Sequence, residues 1–186
     1  MKLLKIAALV AAMGAVGAQA ADMVVYTDVS GDGIFEAGRA GNGAIPPQFD
    51  PFDNASAYWF DASKTLLFTF DQAYTITGMT LSVDNNDFYV VELSQDGIEW
   101  DDYHTVLAFQ GVVQEWQGGM DTFTPNKPAT ASAYSFARIT AYPGDGSYSV
   151  GELKLNGVAA VPEPETLALM LGGIAALGLK LRRRAG

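Results

Sequence analysis

Between Ala21 and Ala160 the apolar positions recur mostly every second residue, in short runs broken by Gly, Asp, Asn and Pro. A period of two places apolar side chains on one face of a strand and polar ones on the other, the mark of half-buried β-structure. In Thr65–Phe70, Leu66, Phe68 and Phe70 share a face and Thr65 and Thr69 take the opposite one. In Tyr74–Val83 the inward phase is Tyr74, Ile76, then Met79, Leu81 and Val83. The phase slips by one at Gly78, which predicts a β-bulge there. Phe88–Ser94 alternates with Tyr89, Val91 and Leu93 inward, and Gln95-Asp96-Gly97 supplies a hairpin turn. Further strands are predicted over Met23–Thr27, Tyr103–Phe109, Val112–Trp116, Tyr134–Tyr142 and Ser147–Leu155. Asp28–Gly43 is too rich in glycine to hold a period and is predicted as a loop. Tyr58-Trp59-Phe60 is expected to tuck under a sheet edge. No amphipathic helix and no internal repeat interrupts this series. Short strands without helices predict an all-β fold, an antiparallel β-sandwich or jelly roll.

Both ends leave the alternation. Lys2 and Lys5 precede an apolar run, Ile6–Ala18, and a small-x-small site, Ala18-Gln19-Ala20. That order is a secretory signal peptide over residues 1–20 for signal peptidase, and its apolar run is too short to read as a membrane span. The C-terminal segment, residues 161–186, has three ordered parts. Val161-Pro162-Glu163-Pro164-Glu165 is extended and acidic, since its prolines lack N–H donors. Residues 166–181 are mostly apolar and predict a lipid-facing helix. Lys180, Arg182, Arg183 and Arg184 form a basic end that the positive-inside rule keeps in the cytoplasm. The apolar stretch Leu167–Leu179 would span only about 20 Å of a hydrocarbon core of about 30 Å. Such a marginal anchor, lengthened by snorkelling of its basic end, suits a segment held briefly and then cut.

This tail resembles the PEP-CTERM sorting signal, through Pro162, Glu163 and Pro164, the apolar run, and the arginines. The resemblance implies recognition and removal by an exosortase, a membrane protease or transpeptidase of bacteria that make extracellular polysaccharide. It therefore implies export through the inner membrane, transient anchoring there, and a final place at the cell surface or in the matrix.

A second resemblance covers Leu66 to Gly157. It is carried by Leu67-Phe68-Thr69-Phe70 with Ile76-Thr77-Gly78-Met79-Thr80-Leu81, by Ser94-Gln95-Asp96-Gly97-Ile98-Glu99-Trp100, and by the Arg138-bearing strand that precedes Gly151-Glu152-Leu153. These resemble the discoidin, galactose-binding-like jelly rolls. A stretch like Asp84-Asn85-Asn86-Asp87-Phe88-Tyr89 also occurs in other PEP-CTERM proteins. The resemblance implies a binding module for glycans or other surfaces, sometimes with a structural calcium ion. It also implies that Trp100 packs as core.

Charge narrows the partners. Residues 21–160 hold 5 Lys or Arg against 19 Asp or Glu, a net charge of -14. That argues against nucleic acid and anionic membranes, and suits neutral polymers or divalent cations. The absence of cysteine removes disulfides and thiol chemistry together.

Few residues carry catalytic signals. His104 is the single histidine, no Gly-x-Ser-x-Gly occurs, and packing is the expected role of His104. Asp101 and Asp102 are adjacent in a strand, so they point to opposite faces and are expected to be solvated. Oxygen donors are more suggestive. Asp28, Ser30, Asp32 and Gly33 match the opening of an EF-type calcium loop, but position twelve is Arg39 rather than Glu. Asp84, Asn85, Asn86 and Asp87 crowd four side-chain oxygens between two strands, either as an Asx-rich turn or as a calcium or ligand loop. Asp145 and Glu152 are expected to share one site across the last hairpin. Trp116, among Gln114, Glu115 and Gln117, and Tyr142 are the aromatic residues proposed for glycan stacking.

The chain is thus expected to have a signal peptide at 1–20, a β-sandwich domain at 21–160, and a sorting segment at 161–186. Its expected function is a non-catalytic binding or structural module of the exopolysaccharide or biofilm matrix, with Ca2+ as its cofactor if any. The alternative is a secreted glycan-active hydrolase using two distant carboxylates.

Overall fold

A computed structural model describes residues 22–112, 118–142 and 144–160. The signal peptide, the sorting motif Pro162-Glu163-Pro164, the arginines Arg182–Arg184, and Trp116 lie outside the described residues.

The strands are β1 (Asp22–Met23), β2 (Tyr26–Ser30), β3 (Ala57–Trp59), β4 (Thr65–Asp84), β5 (Phe88–Ser94), β6 (Asp101–Val106), β7 (Met120–Phe123), β8 (Ala133–Tyr142) and β9 (Tyr148–Ala159), all paired antiparallel. The all-β expectation holds, with one short 3-10 turn at Ala37–Gly41. The axis of the fold is β4. The alternation reads Thr65–Phe70 and Tyr74–Val83 as two strands, yet they are one strand of 20 residues.

The nine strands form one hydrogen-bonded sheet, and its two halves share this strand. Its first part lies between β2 and β8, with Phe68 opposite Val29 on one side and Ala137 on the other. Its second part lies between β9 and β7, with Leu81 opposite Leu153 and Phe123. Between Thr69 and Tyr74 the β8 register shifts and β9 takes over from β2 on the other side. One half therefore continues β2-β4-β8-β5-β6, and the other β9-β4-β7 with β1 and β3 along the outer side of β9. The register shift against β9 between Ile76 and Gly78 is the bulge that the phase slip predicts. It keeps Ile76 and Met79 both inward.

One apolar core fills the space between, built from the predicted inward positions Leu66, Phe68, Ile76, Leu81, Val91, Leu153 and their neighbours. Other expectations shift. The predicted strand Met23–Thr27 is split into β1 and β2 around Val24, which points inward. Asp28 and Ser30 belong to β2 rather than to a loop, because Tyr26–Ser30 pairs along β4. The strand predicted over Tyr103–Phe109 runs from Asp101 to Val106, and the last strand extends to Ala159. Val112 is not in a strand and residues 113–117 are outside the described set, whereas β7 follows at Met120. The aromatic triplet does not tuck under as a unit. Alternation on β3 buries Trp59 and turns Tyr58 and Phe60 outward. Among the described residues no helix is long and apolar enough to cross a membrane.

The strand register also separates the two ends of the sandwich. Ala159 lies opposite Tyr74, and Ala160 donates its N–H to the Ala73 carbonyl. Asp22 lies opposite Gly157 on the same strand. The first and last described residues thus sit close together. Asp84 and Tyr148 mark the other end, about 30 Å away along the strands.

Candidate functional site: an aromatic ridge beside a carboxylate cleft

The far end carries two adjoining features. The first is aromatic. Phe35 and Tyr58 exchange backbone hydrogen bonds of 2.9 and 3.1 Å, which stacks their rings at 5.1 Å. Phe52 and Phe60 meet Tyr58 edge-on, each at 5.9 Å, and each other at 6.0 Å. Phe35 is 52% exposed and Phe60 58% exposed. Rings usually gain by burial, so four joined in one contact cluster around Tyr58, with two of them half in water, form a ridge with an unsatisfied apolar face.

The second feature is a cleft of about 370 Å³ that begins at Phe52. Phe49, Asp53, Asp84, Asn86, Asp145 and Ser147 are among the residues that line it, and among the described residues no Lys, Arg or His does. Three loops build it. The Pro47–Asp53 segment is tied to the start of β7, where Phe49 donates to the Met120 carbonyl and Met120 to the Asp50 carbonyl. Phe49 takes a positive φ of 64° and its ring is exposed. Asp84-Asn85-Asn86-Asp87 links β4 to β5, and Gly144–Ser147 links β8 to β9.

The carboxylates beneath the cleft are unusual. Asp84 is buried, and its Oδ1 accepts a hydrogen bond of 2.9 Å from Gly119 N–H. Burial is the main reason its pKa rises to about 6, with the Gly119 N–H opposing and Asp145 adding. Asp87 is 0% exposed. Its Oδ1 accepts from Asp145 N–H at 3.2 Å, while its Oδ2 has no hydrogen-bond partner. Burial first, then the Asp145 charge, pushes its pKa up to about 7. Asn86 donates through Nδ2 to Asp145 Oδ2 at 2.8 Å and leaves its buried Oδ1 unpartnered. Asp145 itself is exposed, with Oδ1 accepting from Ser147 N–H at 2.8 Å. Gly144 lies so close over Asp87 that a Cβ there would stand 1.5 Å from Oδ1. A glycine is the residue that lets this turn close over the acid.

The structure brings Asp84, Asn86 and Asp87 together as the sequence suggests, and adds Asp145 from the last hairpin. It does not bring in Asp28 or Asp32. Asp28 accepts from Ser30 Oγ at 2.7 Å on β2, and Asp32 pairs with Lys64 at 3.3 Å. Glu152 is also elsewhere, a correction to its expected partnership with Asp145. Its side chain accepts from Gly43 N–H at 3.0 Å, and burial lifts its pKa to about 7. The cause is register, since Glu152 sits opposite Ser82 and beneath the Asn42-Gly43 turn.

Among the described residues no three His, Cys, Asp or Glu side chains are placed to hold a metal ion by themselves. Tyr142 is 55% exposed at the end of β8, opposite exposed Phe88, but does not line the cleft. Trp100 is only partly buried, not core, with Arg138 stacked 4.4 Å over its ring and held by a bidentate pair to Glu92. His104 is half-buried, and burial lowers its pKa. Asp101 and Asp102 are both exposed, as expected. The ridge was not visible in sequence. Phe35, Phe52 and Tyr58 lie in aperiodic, Gly- and Pro-rich chain, where the density of aromatics was the available signal.

Known proteins match the chain in two ways. Residues 160–184 match the PEP-CTERM protein-sorting motif. The fold matches that of a family 32 carbohydrate-binding module from AlyQ, solved in complex with 4,5-unsaturated mannuronic acid. That match has a TM-score of 0.51 and 10% identity over 72% of this chain and 97% of that one. A family 89 glycoside hydrolase from Clostridium perfringens, in complex with 2-acetamido-1,2-dideoxynojirmycin, matches with a TM-score of 0.50 and 12% identity. There the match covers 73% of this chain and 15% of that one. No curated protein matches the sequence. The chain therefore carries an exosortase sorting motif, which implies secretion and transient membrane anchoring, on the discoidin-like fold of carbohydrate-binding modules.

Proposed function

We propose that this exosortase-sorted chain is a non-catalytic glycan-binding module of the cell surface or exopolysaccharide matrix, and that the aromatic ridge is its stacking platform. The observation that carries this reading is the ridge of Phe35, Tyr58, Phe60 and Phe52 running directly into a polar cleft. Sugar rings present an apolar C–H face to aromatic rings and hydroxyls at their edges, and this pairing of surfaces accepts both. The net charge of -14 over residues 21–160, with no basic residue in the cleft, favours a neutral polysaccharide over an acidic one. Orientation supports it too. The C-terminal end of the domain, from which the sorting segment continues, is about 30 Å from the cleft, so an anchored chain presents the ridge away from the membrane.

Affinity electrophoresis of the purified exported protein in gels of neutral and acidic polysaccharides tests the reading. Retardation by at least one neutral polymer is expected, weakened roughly three- to tenfold by Phe60→Ala or Phe35→Ala. Because both rings are half exposed, these substitutions should leave folding intact. Retardation unaffected by either substitution would remove the ridge from the site.

A glycan hydrolase remains the second reading because one observation favours it. Asp84 and Asp87 are carboxylates with raised pKa values beneath a cleft, as a general acid requires. Against it, Asp87 is covered by Gly144 and has no exposed surface to offer a substrate. Release of reducing sugar from a bound polymer, abolished by Asp84→Asn, would establish the hydrolase. Binding without release would leave the module.

A further inference from the structure

We infer that Asp84, Asn86, Asp87 and Asp145 form a calcium site in the floor of the cleft. The inference does not depend on which glycan the ridge takes. The acidic cluster is joined by a separate observation. Asp87 is wholly buried and its Oδ2 has no partner, and the neighbouring Asn86 Oδ1 is buried and unpartnered as well. Buried polar atoms are nearly always satisfied, so two orphaned oxygens on consecutive residues call for a shared occupant.

Both orphans are hard oxygen acceptors, and the other groups nearby are the Asp84 and Asp145 carboxylates. Among the described residues no cation meets them. Arg138 is committed to Glu92, Arg39 is drawn to Glu36 and Asn54, Lys64 to Asp32, and Lys127 and Lys154 are outside the cleft. Neither tyrosine hydroxyl against the cluster bonds Asp87 Oδ2 or Asn86 Oδ1; Tyr89 OH accepts from Ser149 N–H and Tyr148 OH from Gly144 N–H. A bound cation or a water donating to both oxygens remains, and the charge of the three surrounding carboxylates, Asp84, Asp87 and Asp145, selects the cation.

The donor chemistry selects its type. Carboxylate and amide oxygens without nitrogen or sulfur suit calcium or magnesium, and an irregular set drawn from two loops suits calcium, which accepts 6–8 ligands at flexible geometry. Because the carboxylates do not form a complete set alone, the amide oxygen of Asn86 and loop carbonyls are required members. The exposed Gly144-Asp145-Gly146 turn is the element that would settle on the ion. Calcium there would tie the β4–β5 loop to the β8–β9 loop and make the floor of the cleft rigid.

Thermal melting of the purified exported protein, stripped with EDTA and returned to millimolar Ca2+ or Mg2+, tests this, with calorimetric titration of Ca2+ as a second readout. A rise of several degrees with Ca2+, smaller with Mg2+, is expected, together with binding of one ion per chain. Asp87→Asn should abolish the rise. In EDTA it should melt no lower than the parent, because the amide removes an unpaired buried charge while keeping its shape. Asp145→Asn, at an exposed position, provides a second variant that should lose the calcium response if Asp87→Asn does not fold. Asp32→Asn should keep the full response. Absence of any calcium shift or binding heat in the parent would overturn the inference. So would a shift retained by both Asp87→Asn and Asp145→Asn, or one lost in Asp32→Asn.

Discussion

At the scale of single residues, the fold places acids where water does not reach and allows this through local contacts. Glu152 is the simplest case. It is buried under Asn42-Gly43, and burial outweighs the backbone N–H groups of Gly43 and Asn42 in setting its pKa near 7. A carboxyl whose folded pKa lies above its unfolded value binds more protons in the folded state. Its stabilising effect is complete below about pH 4.5 and is lost as pH rises through about 7. Urea melts at about pH 5 and about pH 8 should show Glu152→Gln losing less stability over this interval than the parent. Gly144 makes the complementary point. Its missing Cβ is the space occupied by Asp87 Oδ1, so Gly144→Ala must displace the turn or the acid. A loss of about 1–3 kcal/mol is expected from urea denaturation, the usual cost of overpacking.

At the scale of elements, β4 decides the architecture. It pairs with β2, β8, β9 and β7 in turn, so its amides are bonded on both sides through most of its length. Native-state hydrogen exchange should find the slowest amides in β4 and the faster ones in β6, which pairs only with β5. Phe68, wholly buried in the centre of the first half, should cost about 3–5 kcal/mol on Phe68→Ala, measured by chemical denaturation. The alternation of Leu66, Phe68 and Phe70 made these positions legible in the sequence. The continuity of β4 was not, because Asp71 and Gln72 look like a turn when read locally. They remain in the strand because β9 takes over from β2 on one side there while β8 continues, shifted in register, on the other.

At the scale of the whole molecule, the two ends of the sandwich divide the work. Asp22, Gly157 and Ala160 lie at one end, where the sorting segment continues from the domain. The ridge and cleft lie at the other. Changing the sorting motif should therefore alter location without altering the fold that carries the ridge and cleft. Replacement of Pro162, Glu163 and Pro164 by alanine should leave an unprocessed, larger species in the membrane fraction on immunoblots of fractionated cells. The same protein, extracted in detergent, should show a parent-like melting temperature. A normally processed product would mean that this motif is not what the exosortase reads.

The sequence by itself determined the β class, most of the inward-facing positions, the bulge at Gly78, and the sorting segment at the C-terminus. These are local signals: a period of two, a phase slip, and an ordered run of proline, apolar and basic residues. It also singled out Asp84, Asn86 and Asp87, because they are adjacent in the chain. Tertiary structure alone decided what joins them. Asp145 arrives from 58 residues away because β8 and β9 flank β5 and β4, and Glu152 is taken elsewhere by its register opposite Ser82. The ridge was decided in the same way. Phe35 reaches Tyr58 through an isolated bridge, and Phe52 and Phe60 close around them from loops with no period. Periodicity reports which face of a strand is buried, but only the pairing of distant strands decides which exposed side chains become neighbours.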